Sequence, residues 1–187
     1  MKGNRAALAA VAVIVLVALG WWMFRRTSGA EPVDLLSDQQ WAGAKKQPTP
    51  TLFTLRDAAL GGESRHAIAL DPASGTTRLT WRVRVPEDAW LDVAVGLDPA
   101  AWDKPGDGVL FRFGVSDGRT YEPLFSQYVN PSANTGDRKW IPVMVDLSAY
   151  AGEEVDLIFG TNPSEPGKGD NRDNDLALWG APRVVVR

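Results

Sequence analysis

Residues 77–85 read TRLTWRVRV, and their alternation decides the fold class. Leu79, Trp81, Val83 and Val85 fall on one side of an extended chain, while Arg78, Thr80, Arg82 and Arg84 fall on the other. Successive side chains of a pleated strand point in opposite directions, so a period of two marks a strand with one buried and one solvated face. Working outward, the same pattern returns in LDVAVGL (91–97), GVLFRFGV (108–115) and WIPVMVDL (140–147). RHAIAL (65–70), VDLIFG (155–160) and PRVVV (182–186) read as further strands. RTYEPLFSQYV (119–129) follows Asp117-Gly118, a dipeptide suited to a hairpin turn. About eight short strands, regular turn signals and almost no helical period predict an all-β fold, an antiparallel β-sandwich of jelly-roll type.

The alternation also sorts the connections. If successive strands run antiparallel, their connections fall at opposite ends by turns. Residues 71–75, 98–108, 130–139 and 161–175 then share one end, and PEDA (86–89), SDGR (116–119) and SAYAGEE (148–154) share the other. The first end holds the long loops, rich in Asp, Asn, Pro and Gly, and long loops grouped on a rigid scaffold are the usual place for binding residues.

Composition removes several chemistries. The 187-residue chain has no cysteine, which excludes disulfides, thiolate zinc sites and cysteine nucleophiles. Its one histidine, His66, lies in the predicted strand RHAIAL, where a polar position on a partly covered strand is expected rather than a catalytic base. Residues 1–30 carry Lys2, Arg5, Arg25 and Arg26 and no acid, so the other 157 residues hold 16 basic and 23 acidic side chains, a net charge of −7. Phosphate backbones need a basic stripe, so nucleic acid is not an expected partner.

At the amino terminus, Ala6 to Phe24 contains no charged side chain; 19 residues of helix would span roughly 28 Å, close to the hydrocarbon core of a bilayer. Trp21 and Trp22 suit the headgroup level, and Arg25 and Arg26 would snorkel to it. SGA before Glu31 offers a competing signal-peptide cleavage site, but WWMFRR puts bulk and two cations between it and the apolar run. The expectation is a single transmembrane anchor helix with the amino terminus inside and the domain extracytoplasmic. Residues 1–24 form the cytoplasmic tip and anchor, 25–52 a tether mixing Pro, Gly, Ser and charge, and 53–187 the sandwich.

Two candidate sites lie on the long-loop end. Sugar recognition needs an aromatic face and planar polar groups. Trp102 sits in a loop between Pro99 and Pro105, and Asp103, Asp107, Asn130, Asn134, Arg138, Asn171 and Arg172 could surround it. The alternative is that Trp102 folds back to cap the sandwich; Trp81, Trp140 and Trp179, in or beside strands, read as core. The second site is DNRDND (170–175), whose Asp170, Asp173 and Asp175 are hard oxygen ligands of the kind calcium prefers, without the glycine and distal glutamate of an EF-hand. Solvated acids that cap turns, or a carboxylate pair for glycoside hydrolysis, are the other readings of this loop.

DKPGDGVLFRFGV (103–115), LFSQYVNP (124–131), DRKWIPVMVDLSAYAGEEVDLIFGT (137–161) and GDNRDNDLALWGAPRVV (169–185) resemble, in order and spacing, galactose-binding-like jelly-roll modules of bacterial membrane and cell-envelope proteins. The most specific pieces are the segment from Trp140 to Gly152 and the terminal Trp179-Gly180-Ala181-Pro182. The resemblance implies a noncatalytic carbohydrate-binding or accessory module, sometimes with a structural calcium ion. Where an aromatic residue is expected before Trp179, this chain has Asn174, Asp175 and Leu176, which argues against a sugar platform at that spot. The sequence thus points to a membrane-anchored binding module for cell-envelope glycan. The alternatives are a structural module contacting an envelope protein, with no sugar ligand, and a hydrolase.

Overall fold

The computed structural model describes residues 31–70, 76–164 and 171–187. Eleven strands lie among the described residues: β1 (Val33–Asp34), β2 (Lys45–Gln47), β3 (Phe53–Leu60), β4 (Glu63–Leu70), β5 (Thr77–Arg84), β6 (Ala89–Leu97), β7 (Val109–Ser116), β8 (Tyr121–Val129), β9 (Ile141–Asp146), β10 (Glu154–Asn162) and β11 (Ala177–Val186). A short helix, α1 (Asp38–Gly43), is the one α-helix among them. The strands form two antiparallel sheets, one of six strands in the order β3-β4-β11-β6-β9 with β1 added beside β11, the other of five in the order β2-β5-β10-β7-β8.

The alternation read from residues 77–85 holds. Thr77, Leu79, Trp81 and Val83 are buried, and Arg78, Arg82 and Arg84 are exposed. Between the sheets, Trp81, Phe113 and Trp179 each meet Phe159 edge to face at 5.0–5.1 Å between ring centroids, and Phe111 meets Trp179 likewise. Such aromatic pairs add to the burial of their area because ring edges carry positive and faces negative partial charge.

The outer face of the six-stranded sheet is covered by a second apolar cluster. Ala94 and Leu178 alternate with Val93, Val95, Ala177 and Trp179 of the main core, so they point to the opposite side of the sheet. There they meet Ala58, Leu60 and Ala67 of the β3–β4 hairpin and Trp140, whose indole N–H donates to the Glu63 carbonyl at 3.0 Å. Gly180 makes this possible: a Cβ at that position would stand 2.8 Å from the Trp140 ring. Among the described residues no such apolar cluster covers the outer face of the five-stranded sheet, which carries a groove.

Residues 33–52, read from composition as tether, build part of the domain. β1 adds to β11, β2 adds to β5, and Leu35 and Leu36 join the main core at 0% and 7% exposure. Pro32 to Arg187 is one compact unit. Strands of two or three residues are too short to show a period, and so β1 and β2 carried no signal. The anchor segment and Asp170 lie outside the described residues; among the described residues no helix is long and apolar enough to cross a membrane.

Candidate functional site

The long loops do converge. Asn174 Nδ2 donates to the Pro105 carbonyl at 2.8 Å, Ser132 Oγ to the Gly106 carbonyl at 3.2 Å, and Arg138 Nη2 to the Trp102 carbonyl at 2.9 Å. Asp98 accepts from the Ala100 N–H and starts a 3-10 turn, Pro99–Ala101, that ends at Trp102. The half-buried Trp102 folds back onto the second apolar cluster, and its indole N–H donates to the Leu97 carbonyl at 2.8 Å. The geometry is that of a cap on the sandwich. Arg138 reaches Pro131 and Trp102 through their carbonyls and pairs with Asp103 at 3.0 Å, fastening two loops together.

The amides expected around a sugar are largely taken up by the loops' own turns. Asn130 Oδ1 accepts from the Ser132 and Ala133 N–H groups, Asn134 Oδ1 from the Gly136 N–H, and Asn171 Oδ1 from the Asp173 N–H. Asp137 ties Asn130 and Asn134 together through both carboxylate oxygens. Arg172 is exposed on the same loop as Asn171.

A different cluster forms beneath them. Asp175 is 1% exposed, and among the described residues neither of its carboxylate oxygens has a hydrogen-bond partner; Asp107 Oδ1 is buried and likewise unpartnered. Asp175 faces a cavity of about 10 Å³ lined also by Gly106, Gly108, Asn130, Ser132 and Asn174. Burial, and then the charges of Asp107 and the exposed Asp173, push the Asp175 carboxyl up to about 8. Buried carboxylates without partners cost several kcal/mol each unless a cation or a proton compensates. The two Asp175 oxygens beside a cavity large enough for one small ion, with the orphaned Asp107 oxygen on the adjoining loop, are hard donors of the class calcium takes. No group of three or more His, Cys, Asp or Glu side chains able to hold a metal is present among the described residues, so amide or carbonyl oxygens would complete the set. Of the two described acids among those expected to hold a metal, Asp175 is buried and Asp173 exposed, and the charge of Asp107, a residue read from sequence as a sugar ligand, acts on Asp175.

The open sheet face holds features that sequence reading passed over. Two adjoining recesses of about 320 Å³ and about 220 Å³ share Arg78 and Ile158 and cross β2, β5, β10, β7 and β8. Lys45, Arg82 and Asp156 line the first; Arg112, Tyr121 and Gly160 line the second. Tyr121 is 47% exposed, and its ring occupies the space that a side chain on Gly114 would take, 2.6 Å from where a Cβ would stand. Arg82 pairs with Asp156 at 3.2 Å, whereas Arg78 and Arg112 have no hydrogen-bond or ionic partner among the described residues.

No protein-family model matches the chain. An uncharacterised protein of Archaeoglobus fulgidus is 34% identical over 158 residues, which cover 82% of this chain and 36% of that protein. The chain thus spans about a third of the length of the curated relative it matches. Among solved structures, the CBM51-2 and INT domains of Clostridium perfringens ZmpB in complex with GlcNAc match with a TM-score of 0.54 at 17% identity, over 84% of this chain and 32% of that one. The CBM22-1–CBM22-2 tandem of Paenibacillus barcinonensis Xyn10C matches with a TM-score of 0.53 at 10% identity, over 85% and 49%. TmCBM61 in complex with β-1,4-galactotriose matches with a TM-score of 0.51 at 10% identity, over 82% and 99%. In fold, the domain is a jelly-roll β-sandwich like those of these carbohydrate-binding modules.

Proposed function

We propose that the domain is a noncatalytic glycan-binding module and that its ligand lies in the groove across the five-stranded sheet. The observation that carries this reading is Tyr121, an exposed aromatic ring in a recess of the sheet face and flanked by side-chain donors. Aromatic rings take the C–H face of a sugar, and convergent polar groups take its hydroxyls. The sugar complexes of two fold neighbours, with GlcNAc and with β-1,4-galactotriose, support the ligand class. A hydrolytic role finds no support in the Asp107–Asp175 pair, because the cavity beside it, about 10 Å³, is far too small for a sugar. Glycan-array screening of the full chain, followed by titration of Tyr121→Ala, tests the reading. Loss of about tenfold or more in affinity with an unchanged melting temperature is expected; sugar binding that survives in Tyr121→Ala and disappears in Trp102→Ala would return the site to the loop end.

Two further parts belong to this reading. Asp107 and Asp175 hold a calcium ion that ties the 98–108 loop to the 171–176 segment, a structural rather than catalytic role supported by their orphaned oxygens. The apolar segment 6–24 anchors the module in a membrane with the domain outside the cytoplasm, where envelope glycan is the ligand within reach.

A further inference from the structure

The groove carries charge of one sign where the rest of the domain carries the other. Residues 31–187 hold 16 basic and 23 acidic side chains, yet the two recesses collect Lys45, Arg78, Arg82 and Arg112 against Asp156 alone. Arg82 is occupied by Asp156. Arg78 and Arg112 are different: in the strand register both are direct neighbours of Gly160, Arg78 on β5 and Arg112 on β7. Two strand spacings put their Cα atoms roughly 10 Å apart, and the position between them bears no side chain. Thr76, Ile158 and Tyr121 complete the wall of the same recess.

Two arginines flanking an empty glycine position, neither with a partner among the described residues, repel each other, and Arg112 is half-buried, which raises the cost. An anion seated over Gly160 would remove that cost and could be held through the planar donor forks of both arginines. Tyr121 covers Gly114, two residues along β7 from Arg112, so an aromatic face lies about 7 Å along the sheet from the anion seat. That spacing matches a sugar ring carrying its acidic group on one edge.

We infer that the groove selects anionic glycan, with a carboxylate or sulfate of the sugar seated over Gly160 between Arg78 and Arg112 and the adjoining ring against Tyr121. This deepens the glycan reading and rests on it. The cationic patch is short and closed at one end by Asp156, which suits one acidic group on a saccharide and not the phosphate track of a nucleic acid.

The test titrates the full-length chain in detergent with tetragalacturonate, its neutral methyl ester, sulfated galactotetraose and unsulfated galactotetraose. At least one acidic probe should bind about tenfold or more tighter than its neutral partner; the two pairs tell a carboxylate seat from a sulfate seat. The preference should weaken as salt rises from about 50 to about 500 mM. Arg78→Gln and Arg112→Gln should each bring the acid-to-neutral ratio close to one without lowering the melting temperature. Arg78→Lys, which keeps charge but loses the fork, should leave an intermediate ratio, and Arg183→Gln on the other sheet should leave it unchanged. Equal binding of acidic and neutral probes, or a preference indifferent to both glutamine variants, overturns the inference while leaving the glycan reading in place. Binding of polyphosphate or single-stranded DNA as tight as the acidic sugars also overturns it. If no saccharide on the array or in this set binds, both readings fall.

Discussion

Asp175 shows how one residue's environment sets a measurable property. Its carboxyl ionises at 3.8 in an ordinary setting and at about 8 in the fold, because burial and the charges of Asp107 and Asp173 disfavour the anion. Between those values the folded state binds more protons than the unfolded state, so the stability conferred by the neutral group is complete below 3.8 and is lost as pH rises through about 8. In chelator, the wild-type melting temperature should therefore fall relative to Asp175→Asn as pH rises from about 4 to about 8. Millimolar calcium at the upper pH should restore the wild type by mass action and do little for the variant. A wild-type-to-variant difference independent of both pH and calcium would show that neither proton nor metal occupies this site. Trp102 makes a second case at this scale. Its indole is bonded to Leu97 and packed on the second cluster, so Trp102→Ala should cost roughly 2–4 kcal/mol in urea unfolding, somewhat below a fully buried tryptophan; an unchanged midpoint would mean that the cap contributes nothing.

Among the elements, the β3–β4 hairpin and the two shortest strands matter most to the architecture. The hairpin lays Ala58, Leu60 and Ala67 on the outer face of the six-stranded sheet, where they pack with Ala94, Trp140 and Leu178. Leu60, 1% exposed, should cost about 2–4 kcal/mol when replaced by Ala, with glycan binding retained because the groove lies on the opposite sheet. β1 is followed directly by Leu35 and Leu36, and burial of two leucines stabilises by roughly 3–6 kcal/mol. A chain beginning after Leu36 should accordingly unfold at markedly lower urea concentration, whereas a plain tether could be removed without effect. β2 borders the groove through Lys45 and Gln47, so residues resembling a linker contribute to the proposed binding face as well.

For the whole molecule, the layout separates two tasks. The loop end is tied together by Trp102 and Arg138 above the buried Asp175, while the five-stranded sheet presents a groove with an aromatic ring and two arginines that have no partner among the described residues. Rigid support from the sandwich favours such a face, because strands hold side chains in fixed register more firmly than loops do. The proposed anchoring is tested at this scale by intact-mass analysis of membrane-extracted protein: a chain retaining residues 1–30 is expected, and a species beginning at Glu31 would contradict it. A reporter fused after Arg187 that is active only in the cytoplasm would contradict the orientation.

The amino-acid sequence by itself determined the sandwich, because the period of two in residues 77–85 and its repeats is a local consequence of one-sided burial. It also determined which loops meet, since alternation of antiparallel strands assigns connections to ends without knowledge of any contact. The same reading placed Arg78, Thr80 and Arg82 on the outer side of their strand, but an outward arginine on a lone strand is indistinguishable from a solvated one. Tertiary structure decided its meaning. Gly160 and Arg112 come from strands about 80 and 30 residues away, and the register that aligns Arg78, Gly160 and Arg112 across three strands is set by packing between the sheets. Likewise the acids of residues 170–175 looked alike in sequence, and only the fold, by turning Asp175 inward beside Asp107 and leaving Asp173 in solvent, made one of them a buried carboxyl that ionises only at a cost.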